Sequence, residues 1–505
     1  MFSYERVSGW TLASHSMAHV ARVTSREEID NVLTEARRRG LSVTLRGSGY
    51  SYGDEILNEG GLILDLGRMN RILDWNPENG QMTVEPGVTY GQALACCLKD
   101  NWVISAVPGT RHPTLGGALA NNVHGKNAWN EGNLGDSVVA FTLLTGNGEV
   151  YRCTREENSE LFLAAIGGLG LLGVFLEIVL QCKCVPSPFL EVRKWTVPNL
   201  ETLFRVMDAL RVSTEYHVGW VDCFATGRSL GRGTLHAARF VERPKGRARR
   251  GEDLAVTSPS LLGLFPRTWL WPFLRPFFGN GFMRLVNTTK FHADRLASRQ
   301  QPCVQNFFKF NFLLDSIPDW RQLYKPHGYV ELFPLIPFGA APEAFRELIE
   351  LTQGYGAPSF LAGIKSHRRD DFLLSYSLDG YSLGIDVPAV DGLRARFDEL
   401  FYRMTEIVLR SGGRIHLAKD DKLTPDHFRQ MFPRWREFEV IKQKYDPESL
   451  FESGMYRRLF LGRTPSKPPA SRGGGDGEGQ WREDAGRRNA GSRFRSLRRV
   501  TGRPR

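Results

Sequence analysis

A chain of 505 residues, 41% hydrophobic and 24% charged, has the composition of an ordinary globular protein with room for two or more domains. Of its net charge of +11, residues 462–505 hold +8 (12 Lys/Arg against 4 Asp/Glu), so the first 461 residues carry only +3 and do not read as a nucleic-acid binder. Seven scattered cysteines, at 96, 97, 153, 182, 184, 223 and 303, exclude a disulfide framework and offer no metal-ligand set.

The cysteines suit a reducing compartment, and the opening MFSYERVSGW lacks the apolar core of a secretory signal. The expectation is a cytoplasmic protein, with room for contact at the inner face of a membrane. AHVARV (18–23) reads as a strand. SREEIDNVLTEARRRG then gives a helix with Ser25 as N-cap, Glu28 three residues on and Gly40 as the stop. SVTLRG completes a β-α-β opening. Strands follow at 61–66 and 82–87, a helix at 89–101, and a hairpin over 137–153 that turns at Gly146-Asn147-Gly148. LGVFLEIVLQCKCV (172–185) is a long apolar strand. No internal repeat occurs, and the region is α+β.

From residue 186 the texture changes. VPNLETLFRVMDAL predicts a helix and 242–253 an exposed charged loop. LLGLFPRTWLWPFLRPFFGNGFMRLV (261–286) is aromatic but interrupted by Arg267, Arg275, Arg284 and three prolines, so it is no simple membrane span. It reads either as a core-covering loop with aromatic plugs or as a segment lying on a lipid surface. Helices at 343–356 and 392–413 flank strands at 358–365 and 381–388. The compact part ends near Leu461, and the Gly/Arg-rich remainder has a disordered composition.

Glycine is concentrated at three places. LRGSGYSYGD (45–54) follows a strand and can turn its amides to one centre, as an anion cradle or as a mobile turn. PGTRHPTLGGALANNVHGKN (108–127) and AIGGLGLLGVFLEIVL (165–180) follow. Three such segments beside strands can enclose one long ligand with a pyrophosphate in its middle. The Rossmann glycine fingerprint is absent.

The succession β-α-β, RGSGYSYGD, GGLILDL, VEPGVTYGQAL, PGTRHPTLGGALANNVHGKN and GGLGLLGVF resembles the FAD-binding domain of the vanillyl-alcohol oxidase / para-cresol methylhydroxylase (PCMH-type) flavoproteins. SYGD, PGTR, HGKN, AKD (418–420) and YDPESLFESGMYRRL (445–459) are most similar to the decaprenylphosphoryl-ribose oxidase group within it, flavin subunits of an epimerase. The resemblance spans residues 5–460. It implies an α+β, two-domain PCMH-type FAD-binding fold with a mixed α/β substrate (cap) domain. The divisions are 1–187 for FAD, 188–409 for substrate, 410–461 returning to the FAD domain, and 462–505 a disordered basic tail.

By the same resemblance, Arg46, Gly47, Ser48, Gly49, Tyr50, Ser51, Tyr52 and Gly53 wrap the FAD pyrophosphate, with Pro108, Gly109 and Thr110 beside them. Gly116, Gly117, Asn121 and Asn122 run toward the flavin. His124, Gly125, Asn127, Gly173, Val174 and Lys419 complete the cofactor set. The first loop has no histidine, where many sugar oxidases bond one to flavin, so FAD is expected to be non-covalent, with His112 or His124 the remaining candidates for a link. Lys419 is expected to stabilise the reduced ring. His124 would handle the proton because its ordinary pKa is near neutrality, and Tyr52 would orient the hydroxyl.

Lys126, Trp220, Lys365, Tyr381 and Asp386 match substrate-side positions. Gly384, Glu331, Phe333 and Asn311 depart from the group, at places where a cysteine, two glutamines and a tyrosine are expected. The implied reaction is oxidation of a sugar secondary alcohol to a keto sugar. The C2 hydroxyl of a polyprenylphosphoryl pentose leads, a separate keto-sugar reductase would follow, and a soluble aldonolactone or alditol oxidase using oxygen is the alternative.

Overall fold

Ser25 adopts an extended conformation and its hydroxyl accepts from the Glu28 N–H, starting the helix Arg26–Arg39. Gly40 ends it at φ 64°, a left-handed conformation that costs glycine no Cβ clash. Glu28 does not return to the cap, since the Thr24 N–H and hydroxyl occupy its carboxylate. Ile29, Leu33 and Ala36 form the buried face, in one apolar cluster with Val43, Leu62, Leu64 and Phe451.

A computed structural model describes residues 2–244, 260–261, 265–266, 270–298, 302–316, 319–389 and 391–463. The strands around the first helix form a sheet ordered Ser3–Ser8, His15–Arg22, Leu62–Asp65, Val43–Arg46; the first pair is antiparallel and the other two are parallel. A second, antiparallel sheet is ordered Ile72–Asn76, Gln81–Val84, Gly173–Gln181, Val138–Thr145, Val150–Cys153. The hairpin at Gly146–Gly148 thus lies beside the long apolar strand. Ile72–Asn76 was not expected as a strand, because ILDWN buries no side chain and shows no period-2 pattern.

Eight antiparallel strands drawn from Phe189–Ile415 make the third sheet, ordered Cys303–Asn306, Phe189–Val197, Gly233–Val241, Tyr216–Val221, Ala362–His367, Gly380–Leu383, Pro334–Pro337, Arg414–Ile415. The strand expected over 381–388 is two strands broken at Gly384. Its second half, Ile385–Pro388, leaves the sheet to pair with Tyr329–Leu332 and sets Glu331 opposite Asp386. The described part of the chain belongs to one compact unit.

The segment 261–286, expected either as a core-covering loop or as a lipid-surface stretch, is helical where it is described from residue 270 on, and its Trp271, Leu274 and Phe278 pack on the cluster of Phe224, Tyr324 and Phe360. Leu270–Leu274 and a 3-10 turn at Arg275–Phe277 precede an 18-residue helix, Asn280–Ala297, which begins beyond the last proline of the run. Phe273, Phe277 and Leu285 are exposed there. Before residue 270, Ser260–Leu261 pairs with Phe265–Pro266, while residues 262–264 and 267–269, the charged loop past residue 244 and the tail from 464 lie outside the described residues. No helix among the described residues is long and apolar enough to cross a membrane.

Residues 442–458 return to the first sheet and the glycine loop. Val43 N–H donates to Leu450 O at 2.7 Å, and Glu452 N–H donates to Val43 O at 3.0 Å. The buried Lys442 ammonium donates to Leu171 O, Phe451 O and Asp446. Arg458, on the helix Gly454–Leu459, grips both oxygens of Asp54 at 2.8 Å and reaches Asp420 at 3.0 Å.

Candidate active site

The ends of these elements enclose a cavity of about 590 Å³ lined by residues 45–52, Glu55, 108–114, Gly116, Gly117, Asn121, His124, Lys365, His416, Ala418 and Lys419, among others. Its volume lies within the range of pockets that hold a drug-sized or larger ligand, ~300–1,000 Å³. The glycine loop supplies one wall and is fastened at both ends. Leu66 N–H donates to Arg46 O, and Tyr52 N–H donates to Ala418 O, both at 2.8 Å. Between these ties, none of the five backbone N–H groups from Gly47 to Ser51 donates to another described residue. Gly49 stands at φ 75°, and a Cβ there would meet the Arg46 guanidinium at 2.2 Å, so only glycine lets the loop fold over that charge. Unused amides above a half-buried cation make an anion cradle.

The second wall starts where the Thr114 hydroxyl accepts from Gly117 N–H, opening the short helix Leu115–Ala120. Gly116 is pressed on Pro86, where a Cβ would sit 2.6 Å from the ring. Asn121 gives both amide hydrogens away, to Glu55 Oε1 and Gly117 O, each at 2.9 Å.

At the inner end, basic groups converge. Lys419 Nζ lies 2.9 Å from Glu331 Oε1 and above the rings of Tyr52 and Phe333 at 4.7 and 4.2 Å. Burial pulls its pKa down, but Glu331, then Tyr52, outweigh burial and hold it above the ordinary lysine value. The Lys365 ammonium makes no hydrogen bond or ion pair with another described residue, and burial, with Lys419 adding, lowers its pKa to about 7. His124 is buried with Nδ1 hydrogen-bonded to the Tyr376 hydroxyl. Burial first, then Lys365, His367, His416 and Lys419, drive its pKa well below 6.5, so the expected titration near neutrality does not hold and the ring is neutral. Tyr52 is likewise pushed up by burial and stays a phenol.

Other expected residues stand apart from the cavity lining. Gly53 is packed on the Asp420 carbonyl, and Gly125 on Asn127 and Val107. Asn122 is consumed by Asp370 and Gly135, and Asn127 donates to Ser105 O while its buried Oδ1 has no partner. Gly173 and Val174 lie in the second sheet against Leu144 and Thr145. Lys126 is buried with its ammonium on Phe310, its pKa lowered to about 7 by burial. Trp220 lies under Lys290 at 4.3 Å, and Tyr381 donates to Asp208 at 2.7 Å. Asp386 accepts from Ser359, Tyr324 and the Leu361 N–H. Asn311 donates to Phe307 O.

Three groups at the site were missed. His416 lines the cavity three residues before Lys419, stacked on Tyr376 with ring centroids 4.3 Å apart. Neither of its ring nitrogens is hydrogen-bonded to another described residue, and burial holds its pKa well below 6.5. His367 touches His124 at 4.9 Å and holds Ser382. Glu55 is the third. A lone histidine in HLAKDD and a lone acid after SYGD carry no spacing signal that sequence reasoning could use.

A family description of the FAD binding domain matches residues 17–154, and one of D-arabinono-1,4-lactone oxidase matches residues 335–459. The decaprenylphosphoryl-beta-D-ribose oxidase of Mycolicibacterium smegmatis is 30% identical over 467 residues, 90% of this chain and 98% of that protein. L-gulonolactone oxidase of Bos taurus is 26% identical over 468 residues, 86% of this chain and 94% of that protein. L-gulono-1,4-lactone dehydrogenase of Mycobacterium tuberculosis is 26% identical over 446 residues, 87% and 95% of the two chains.

Proposed function

Because this chain belongs to the PCMH-type family of FAD-dependent oxidoreductases acting on sugar-derived alcohols, we propose that it oxidises the C2 hydroxyl of a polyprenylphosphoryl pentose to a ketone. A separate keto-sugar reductase would complete the epimerisation. The cavity fits FAD on its own terms: a cradle of unused amides suits a diphosphate, and the buried, unpartnered Asn121 Oδ1 and Glu55 Oε2 await a polar ligand. Residues 46–52, 109–110, Gly117 and Asn121 would hold it, and Lys419 would face its ring. We assign 1–187 and 410–461 to the FAD domain and 188–409 to the substrate domain. The first loop offers no histidine, and its Tyr50 is stacked on Trp10 and His112 at 3.9 and 5.9 Å, which supports non-covalent FAD.

Bound FAD supplies the acceptor for the substrate's hydride. In this reading the neutral His416 takes the hydroxyl proton on a free ring nitrogen. Lys419, fixed by Glu331, places positive charge where negative charge builds up. Lys365 carries the substrate assignment: an unpaired, buried ammonium at the cavity wall suits a substrate phosphate. The exposed Phe273 and Phe277, beside Arg275, suit a lipid carrier.

A free aldonolactone or alditol is the second reading. Glu331 favours it, since a carboxylate beside Lys419 accepts hydrogen bonds from a polyol and repels a phosphate. The deciding experiment is anaerobic bleaching of the holoenzyme's flavin by polyprenylphosphoryl ribose and by gulono-1,4-lactone, with acid precipitation of a separate sample expected to release the flavin to the supernatant. Bleaching by the lipid-linked sugar, with KM raised about 10–100-fold in Lys365→Met, is expected from loss of a charged hydrogen bond. Bleaching by the lactone alone, with peroxide formed in air, replaces the proposal by the second reading. A yellow pellet would mean a covalent flavin.

A further inference from the structure

Glu55 is a carboxyl group with half of its hydrogen bonding left undone. It sits in the 3-10 turn Asp54–Ile56, directly after the glycine loop, and is 5% exposed. Asn121 donates to Oε1 at 2.9 Å, while Oε2 is buried and has no partner. Asn121 Oδ1, whose own amide hydrogens are both spent, is also buried and unpartnered. Both residues line the cavity beside the amide cradle. Leaving a buried polar atom unpaired costs about 1–3 kcal/mol, which a ligand that supplies the partner recovers.

The charges around Glu55 do not neutralise it. Asp54, on the same turn, is held by Arg458 of the C-terminal helix. Arg457 of that helix is directed to Glu452, Ser42 and Asn58. Arg46, on the strand leading into the loop, reaches Ser8 O. Asp420 is taken by Arg458. None of these cations forms an ion pair with Glu55. An ionised Glu55 would therefore stand as a bare negative charge beside the place where a diphosphate binds, whereas the acid offers an O–H to a cofactor rich in carbonyl, ring-nitrogen and hydroxyl acceptors.

We propose that Glu55 gates FAD binding by its protonation state: the acid form holds the cofactor through Oε2, and the carboxylate form repels it. Burial, only partly offset by the hydrogen bond from Asn121 and by the nearby Ser51 hydroxyl, raises the Glu55 pKa to about 7. Because the complex favours the acid, FAD binding takes up a proton above that pH. Affinity is highest below pH 7 and weakens as pH rises through it, by up to about tenfold per pH unit. Lys365 lines the same cavity with its own pKa lowered to about 7, and losing its charge would also weaken anion binding. The two contributions are separated by substitution.

The test is titration of apoprotein with FAD by flavin fluorescence from pH 6 to 9, in wild type, Glu55→Gln and Lys365→Met. Glu55→Gln, a permanently neutral isostere, is expected to flatten the pH dependence and to bind more tightly than wild type at pH 9. Lys365→Met is expected to keep most of the slope. Calorimetry at pH 8 in buffers of different ionisation enthalpy should show proton uptake that Glu55→Gln loses. A slope unchanged in Glu55→Gln overturns the proposal. If that variant fails to fold, a slope abolished in Lys365→Met overturns it instead. Apoprotein that takes up no FAD at any pH removes the cofactor site along with it.

Discussion

Lys419 stays charged in a buried site because Glu331 stands 2.9 Å away. Gly384 makes room for that pair, since a Cβ there would lie 2.8 Å from Glu331 Oε1. Lys419→Met is therefore expected to slow anaerobic flavin reduction by about 10²–10³-fold, the usual effect of losing a group aimed at developing charge. Glu331→Gln should lower the Lys419 pKa, because the carboxylate raises it. The alkaline limb of the pH–rate profile should then move to lower pH, and an unmoved limb would contradict the role. At this scale the sequence is legible where backbone does the work: glycine density points to the loop, either as a cradle or as a mobile turn, and the resemblance selects the cradle. Side chains on strands are harder to read, because alternate residues face opposite sides. Tyr381 and Trp220 look like site residues in one dimension and turn to Asp208 and Lys290 in three. His416 shows the converse, a site residue with no pattern around it.

The helix Gly454–Leu459 has an importance out of proportion to its six residues. Arg458 joins it to Asp54, just past the glycine loop, and to Asp420, next to Lys419. Burial alone would lower the arginine's pKa, but the two carboxylates raise it further than burial lowers it. Arg458→Met leaves two buried carboxylates uncompensated, and about 3–5 kcal/mol of stability should be lost. Thermal unfolding of the holoenzyme should show this as a lowered Tm, with FAD released at lower temperature than from wild type. Elements with caps and periodicity were legible: the helix Arg26–Arg39, the hairpin at 146–148 and the strand from Gly173. The helix Asn280–Ala297 was hidden by the prolines and glycines immediately before it. The break at Gly384 was hidden because both strands are buried almost throughout and their sequences, GYSL and IDVP, read as one run.

Across the molecule, five histidines share one bias. Burial is the largest cause in each: it holds His124, His367 and His416 well below 6.5 and brings His217 to about 4 and His236 to about 3. The unfolded chain takes up protons on these rings as pH falls through about 6.5 and the folded protein does not, so acid favours unfolding. Glu55 and Asp370, raised to about 7, act in the opposite sense, and Asp136, Asp386 and Asp421, also raised, join them at lower pH. Five histidines against two carboxyls leave a net loss between about pH 6.5 and 5.5. Differential scanning calorimetry should show Tm falling across that interval, and a rising Tm would refute the balance. The return of residues 442–458 to the glycine loop has a further consequence, for the order of events in biosynthesis. The cradle emerges from the ribosome several hundred residues ahead of Ala418, which fastens its far end, and of Arg458, which anchors Asp54. Cofactor capture therefore waits for residue 458, and a chain truncated before it would carry every cavity-lining residue yet stay colourless.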